Sequence, residues 1–361
     1  MGDNTAIEWT DATWNPIRGC TRVSAGCTRC YAERVAARFS KPGQPYHGLA
    51  RMTKDGPRWT GEVRVVEKHL ADPLRWAQQR RIFVNSMSDL FHEGLSDAAI
   101  DRVFAVMAVS ETVGRCRRRN CDHDTMACGD AGAPPAGHTF QVLTKRPERL
   151  RQYLAQDRRA AWRTAAGTIG WRFTDGALDE IPWPLRNVWL GVSVEDQATA
   201  NARIPLLLDT PAEVRFVSYE PALGPVDFAQ INRWDGWGNG ARVAQPIGGG
   251  LDWVIVGGES GPGARMFDVA WARSMIAQCR TAGVECFVKQ LGALPVDLTR
   301  MPHNGPITAR DLAHPEIAET LGRQLDENCQ AACLSLVDRK GGDMAEWPED
   351  LRVREFPAVR S

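Results

Sequence analysis

"RIFVNSMSDLFHEGLSDAAIDRVFAVMAVSE", residues 81–111, sets two kinds of hydrophobic pattern end to end. Ile82, Phe83 and Val84 form an apolar run that stops abruptly at Asn85, as expected of a strand covered on both faces of a parallel sheet. Further on, Ile100, Val103, Phe104 and Met107 recur at helical spacing, with Ser96 placed to cap the start. Strand, polar end and helix thus follow one another within 31 residues. Five more runs repeat the first half of this unit: "TFQVLTK" from 139, "NVWLGVS" from 187, "VRFVSYE" from 214, "WVIVGGE" from 253 and "VECFVKQ" from 284. A weaker candidate strand is "AIEWT", residues 6–10. Helical patterns in "PERLRQYLAQ" and "DVAWARSMIAQCRTAG" lie among them, the latter stopped by Gly283. Repeated β-then-α units imply right-handed crossovers and an α/β fold with parallel strands, a full or partial (β/α) barrel.

Composition bounds the rest. The chain has 361 residues, with 44 Lys and Arg against 44 Asp and Glu. Zero net charge argues against a broad basic nucleic-acid surface but leaves room for a local basic groove. No stretch of about 18 apolar residues offers a membrane span. The opening "MGDNTAIEWT" lacks the basic and then apolar regions of a secretory signal, so a cytoplasmic protein is expected. Under reducing conditions ten cysteines read first as metal ligands or redox groups rather than disulfides.

In a (β/α) barrel the working residues sit at the C-terminal strand ends. Those ends are polar here: Ser86, Ser88 and Asp89; Thr144, Lys145 and Arg146; Ser193, Glu195 and Asp196; Ser218 and Glu220; Gly257, Gly258 and Glu259; Lys289 and Gln290. Asp89, Glu195, Glu220 or Glu259 could receive an ammonium, and Lys145 or Arg146 a carboxylate or phosphate. The competing reading for each is a rim salt bridge. Cys20, Cys27 and Cys30 share one short glycine-punctuated loop, followed by the helical "YAERVAARF". A structural zinc site needs four protein ligands, and no His lies in the loop. A [4Fe–4S] cluster held by three cysteines leaves one iron open to a small molecule. Both readings stand on the residues alone.

The run "IEWTDATWNPIRGCTRVSAGCTRCYAE" resembles the start of the phage-associated three-Cys-motif family related to radical S-adenosylmethionine (SAM) enzymes. The resemblance continues through "FVNSMSDLFHE", "TFQVLTKRPERL", "VWLGVSVEDQATANARI", "FVSYEPALGPV", "WVIVGGESGPGARMF", "GVECFVKQLG" and "KGGDMAEWPEDLRVREFP". It departs from the common radical-SAM motif in spacing, with six residues rather than three between Cys20 and Cys27. "NSMSDLFHE" and "VLTKRP" are similar to the spore photoproduct lyase branch. The resemblance implies a radical-SAM-like partial barrel over residues 1–290; the tail, 291–361, has weak periodicity and many loop residues and is expected as an irregular C-terminal extension packing on it. It implies a [4Fe–4S] cluster on Cys20, Cys27 and Cys30, with SAM on the open iron. Ser88, Asp89, Lys145, Glu195, Glu220 and Glu259 become the candidate SAM-binding residues. Gly257–Glu259 matches the Gly-Gly-Glu that commonly holds the SAM amino group, but on a late strand instead of the second. The activity implied is repair of a photolesion, or modification, of a nucleic-acid base, with DNA or a nucleotide as substrate and an electron-donor protein as partner. The alternative is a metal-stapled nucleic-acid-binding factor without SAM cleavage.

Residues 112–138 interrupt a short connection as an insertion rich in Gly, Pro and charge. Cys116, Cys121, His123, Cys128 and His138 offer soft ligands for a second metal, zinc being the candidate; an unmetallated loop is the equal alternative. Trp9, Trp14, Trp234 and Trp237 could stack on adenine or an extruded base, but packing is the default expectation for an indole. Cys279 and Cys286 read as ordinary buried thiols.

Overall fold

The computed structural model describes residues 5–113, 137–171, 181–231, 250–298 and 333–358. Seven strands form its main sheet: β1 (Ala12–Trp14), β2 (Arg81–Val84), β3 (Thr139–Thr144), β4 (Val188–Val194), β5 (Val214–Tyr219), β6 (Trp253–Gly257) and β7 (Glu285–Gln290). They hydrogen-bond in the order of the chain itself. Pairing is parallel from β1 through β4 and from β5 through β7. The intervening segments carry α1 (Tyr31–Arg38), α2 (Asp97–Val113), α3 (Pro147–Tyr153), α4 (Arg159–Thr168), α5 (Gln197–Leu208) and α6 (Val269–Ala282). A parallel sheet wound always in one direction is the topology of a partial (β/α) barrel. Among the described residues, no helix is long and apolar enough to cross a membrane.

All six strong candidate strands are strands. "AIEWT" is not: the chain joins β2 only afterwards, where the Asp11 N–H donates to the Arg81 carbonyl at 2.9 Å. Trp9 packs its ring on Phe83, centroids 4.7 Å apart, instead of extending the ladder. In that stretch Trp9 serves packing and not pairing.

The chain divides into two compact units, one of residues 1–192, 206–215 and 359–361, the other of 193–205 and 216–358. In the first, Phe104 stacks on Trp162 at 5.2 Å and meets Tyr153 at 5.3 Å. The polar tips of this aromatic core are satisfied: Trp162 Nε1 donates to the Tyr153 hydroxyl, which donates to Asp101, itself paired with Arg158. Each buried ring contributes roughly 2–3 kcal/mol by removal from water. Ser96 accepts the Ala99 N–H and caps α2 as its sequence position suggested.

In the second unit, Trp253 lies against Phe216 and Phe287. Residues 353–355 run antiparallel along the free edge of β7, with Val288 N–H on the Val353 carbonyl and Glu355 N–H on that of Cys286. Asp268 caps α6 by accepting the Ala270 N–H, and Gly283, at φ 67°, ends it.

Candidate metal centre

The cysteine loop leaves β1 under tight constraint. Asn15 Oδ1 accepts from Ser86 Oγ and the Met87 N–H, so the turns after β1 and β2 are laced together. Ser88 Oγ donates to the Ile17 carbonyl at 3.0 Å, and Ser88 bridges Gly19 through the backbone. Gly19 has φ 94°, and a Cβ there would lie 2.0 Å from the Glu62 carbonyl oxygen. Only glycine fits this position. A short 3-10 turn, Ala25–Cys27, follows, and Cys30 is the residue before α1. The buried Glu33 of α1 reaches back to Arg22 of the loop and accepts the Trp59 N–H at 2.8 Å. The loop is therefore clamped at both ends.

Cys20, Cys27 and Cys30 are half-buried and form no disulfide. Burial pushes the Cys20 thiol up to about 12, helped by the Asp89 carboxylate and opposed by the Arg146 guanidinium. Burial also raises Cys30, against the pull of the Glu33 and Ala32 N–H groups at the start of α1 and of the Lys145 charge. Cys27 acts electrostatically on both other thiols. Cys20 and Cys30 thus hold their protons more tightly than a free thiol, and binding a cation there would release them.

Arg146 organises what surrounds them. Its Nε donates to Glu93 at 2.9 Å, and Nη1 donates to Asp89 at 3.1 Å and lies 3.9 Å from Cys20 Sγ. Nη2 donates to Thr21 Oγ1 at 2.6 Å. Asp89 also accepts from Thr144 Oγ1 at 2.7 Å and from the Lys145 and Phe91 N–H groups, both at 3.0 Å. Both its oxygens are engaged, which makes Asp89 an internal brace for the β2 and β3 strand ends. His92 accepts the Gly94 N–H at Nδ1, so its proton sits on Nε2 and is donated to Thr21 Oγ1. Burial and the Arg146 charge lower the His92 pKa and keep it neutral.

The remaining candidate acids, all in the second unit, are ion-paired. Glu195 is fully buried and bound by Arg203 at 3.1 Å. Glu220 accepts from Lys289 at 2.6 Å and from Gln290. Glu259 takes three N–H donors of Arg265. Each of these acids thus stands in an ion pair, that of Glu195 being buried. His138, in the first unit, accepts the Arg80 N–H at Nδ1 and donates from Nε2 to the Pro73 carbonyl. With both nitrogens committed to the backbone it has no lone pair for a metal. Cys116, Cys121, His123 and Cys128, like Trp234 and Trp237, lie outside the described residues. Trp9 and Trp14 are core residues, Trp14 donating to the His69 carbonyl.

Thr21, Glu33, His92 and Glu93 were not singled out from sequence, although each lies within a few residues of one that was. Among the described residues, no three His, Cys, Asp or Glu side chains converge on a single metal ion. An iron–sulfur cube binds each thiolate at a different iron, so its ligands need not converge on one point. Three disulfide-free thiols on a clamped loop, with a guanidinium beside one of them, are residues that could hold such a cluster.

A family model described as a protein of unknown function (DUF5131) matches residues 4–113 and 131–332. No curated protein and no solved structure matches the chain.

Proposed function

Because the chain belongs to the DUF5131 family, whose description assigns no activity, we propose its function from the cysteine site: it is an iron–sulfur, radical-SAM-type enzyme acting on a nucleic-acid base. The observation that carries this reading is the set of three disulfide-free thiols, Cys20, Cys27 and Cys30, beside the C-terminal ends of parallel strands. In this reading those thiols hold a [4Fe–4S] cluster, which supplies the electron that splits the SAM sulfonium. Arg146 holds Cys20 in place and screens its negative charge once the thiol proton leaves. Asp89 is a positioning residue that acts through Arg146, and Ser88 pins the loop. Lys145, whose charge acts on Cys30, is the side chain we assign to the SAM carboxylate. The choice of a base as substrate follows the likeness to the photoproduct-lyase branch.

The test is anaerobic purification with iron, sulfide and zinc analysis, followed by dithionite and SAM with assay for 5′-deoxyadenosine. About four irons per chain and SAM cleavage are expected. Cys30→Ala should lose the iron while much of the sheet stays folded; full iron content in that variant defeats the ligand assignment. Zinc alone, with no 5′-deoxyadenosine, would leave a metal-stapled nucleic-acid-binding factor.

A further inference from the structure

The zero net charge conceals an uneven distribution. Residues 18–65 hold ten of the 44 Lys and Arg but only three of the 44 Asp and Glu, a local excess of seven positive charges that the rest of the chain cancels. This segment is the cysteine loop, α1 and the hairpin of Ala50–Thr53 with Gly56–Trp59. They pack together around Ala32, Ala36, Tyr46, Leu49 and Ala50. Of the three acids, Glu33 is buried on Arg22, while Asp55 and Glu62 are exposed.

Helix α1 turns Ala32, Glu33, Ala36 and Ala37 inward. Along its other side run Tyr31, Val35 and Phe39, one turn apart and 48, 38 and 40% exposed. Arg34 and Arg38 flank this row, the Arg38 guanidinium 5.5 Å from the Phe39 ring centre. The hairpin adds exposed Arg51, Met52 and Lys54. An outward helix face is ordinarily polar. Large apolar side chains exposed in a row beside arginines mark a surface that is covered in use.

We infer that this face binds a single-stranded nucleic acid. Arg34, Arg38, Arg51 and Lys54 meet the phosphates, and Tyr31 and Phe39 stack against unpaired bases. Charge complementarity selects a polyanion. Eight of the ten cations are arginine, whose planar fork suits phosphate. Aromatic faces among them are the sequence-tolerant stacking platform of single-strand binders, and paired bases in a duplex would not present the faces they need. The inference rests on the nucleic-acid part of the proposed function and is independent of its cluster chemistry.

Fluorescence anisotropy of the full chain, purified anaerobically, with a labelled single-stranded DNA of about 20 nucleotides tests it. Binding should weaken steeply with salt. Arg38→Glu combined with Arg51→Glu should lower affinity at least about tenfold and flatten the salt dependence. Phe39→Ala should lower it about fivefold or more with the salt dependence unchanged. No binding by the parent chain at low salt, or equal affinity in all three proteins, overturns the inference. So does capture of an acidic electron-carrier protein by this face without DNA binding. Iron content measured on the same preparations separates the two readings: loss of DNA binding with iron retained removes only this one. DNA binding without iron removes the cluster and leaves the surface standing.

Discussion

Arg146 is the residue on which the candidate centre turns. Its side chain is 5% exposed, and it faces Asp89, Glu93, Thr21 and Cys20 at once. A buried ion pair adds little relative to an apolar pair, but removing one partner strands the other charge. Arg146→Met therefore leaves the Asp89 carboxylate buried without its cation and should cost about 3–5 kcal/mol in urea unfolding. Adding Asp89→Asn should restore part of the loss, and strict additivity of the two changes would disprove the coupling. Residue-scale pH behaviour follows from His138. Burial lowers its pKa, with the Arg80 charge adding and the Pro73 carbonyl opposing. Below the unfolded value of about 6.5 the unfolded chain binds a proton that the folded chain refuses, so stability falls as pH drops toward the depressed folded value. His138→Gln should lose less stability than the parent between about pH 7.5 and about pH 5.5, as read from urea midpoints. An equal loss in both proteins would assign the acid sensitivity elsewhere. None of these pairings was legible in the sequence. Arg146 meets Asp89 across 57 residues and Thr21 across 125, and only the order of the strands closes those gaps.

Elements were legible where burial acts on them uniformly. Strands β3 to β7 are buried on both faces over most of their length and β2 on one face with the other half-buried, and each carries a core of apolar residues. Helix α5 escaped notice for a physical reason. Its buried positions Ala200, Arg203, Ile204 and Leu207 keep helical spacing, but one is a methyl group and another is the cation that neutralises Glu195. Pro205 within the helix masked it further. The cysteine loop was visible from its spacing, whereas the clamp that shapes it was not. Gly19 is its tightest point, since any side chain there meets the Glu62 carbonyl and the φ of 94° strains an L-residue besides. Gly19→Ala must shift the loop and should cost about 1–3 kcal/mol from the backbone conformation alone. If the three thiols hold a cluster, iron per chain should fall in this variant while the far-ultraviolet circular dichroism stays near that of the parent. Iron loading equal to the parent's would mean that the clamp is dispensable.

At the scale of the whole molecule, a sheet whose strands follow chain order needs each β-then-α unit to lie beside the last, and the right-handed crossover rule supplies that. The alternation was readable in sequence, and the order then follows from connection length and handedness. What neither rule provides is protection for an open edge, where unpaired N–H and C=O groups template aggregation. In the second unit the edge of β7 is covered by residues far along the chain and without helical or strand periodicity of their own. The Val353 carbonyl and the Glu355 N–H pair with it, while Glu355 Oε2 accepts the Cys286 N–H. The same segment buries Trp347 and Leu351 and lays Phe356 against Trp253 and Phe287. These are an edge cover and a lid on the aromatic core of that unit, made by one stretch. A chain ending before Met344 would expose both together, so it should form aggregates on size-exclusion chromatography and unfold at lower urea. Trp347→Ala tests the packing part without uncovering the edge: it should cost about 3–5 kcal/mol yet elute as the parent does. A truncated chain that keeps the parent's elution volume and urea midpoint would show that β7 needs no cover and that the pairing of residues 353–355 is incidental.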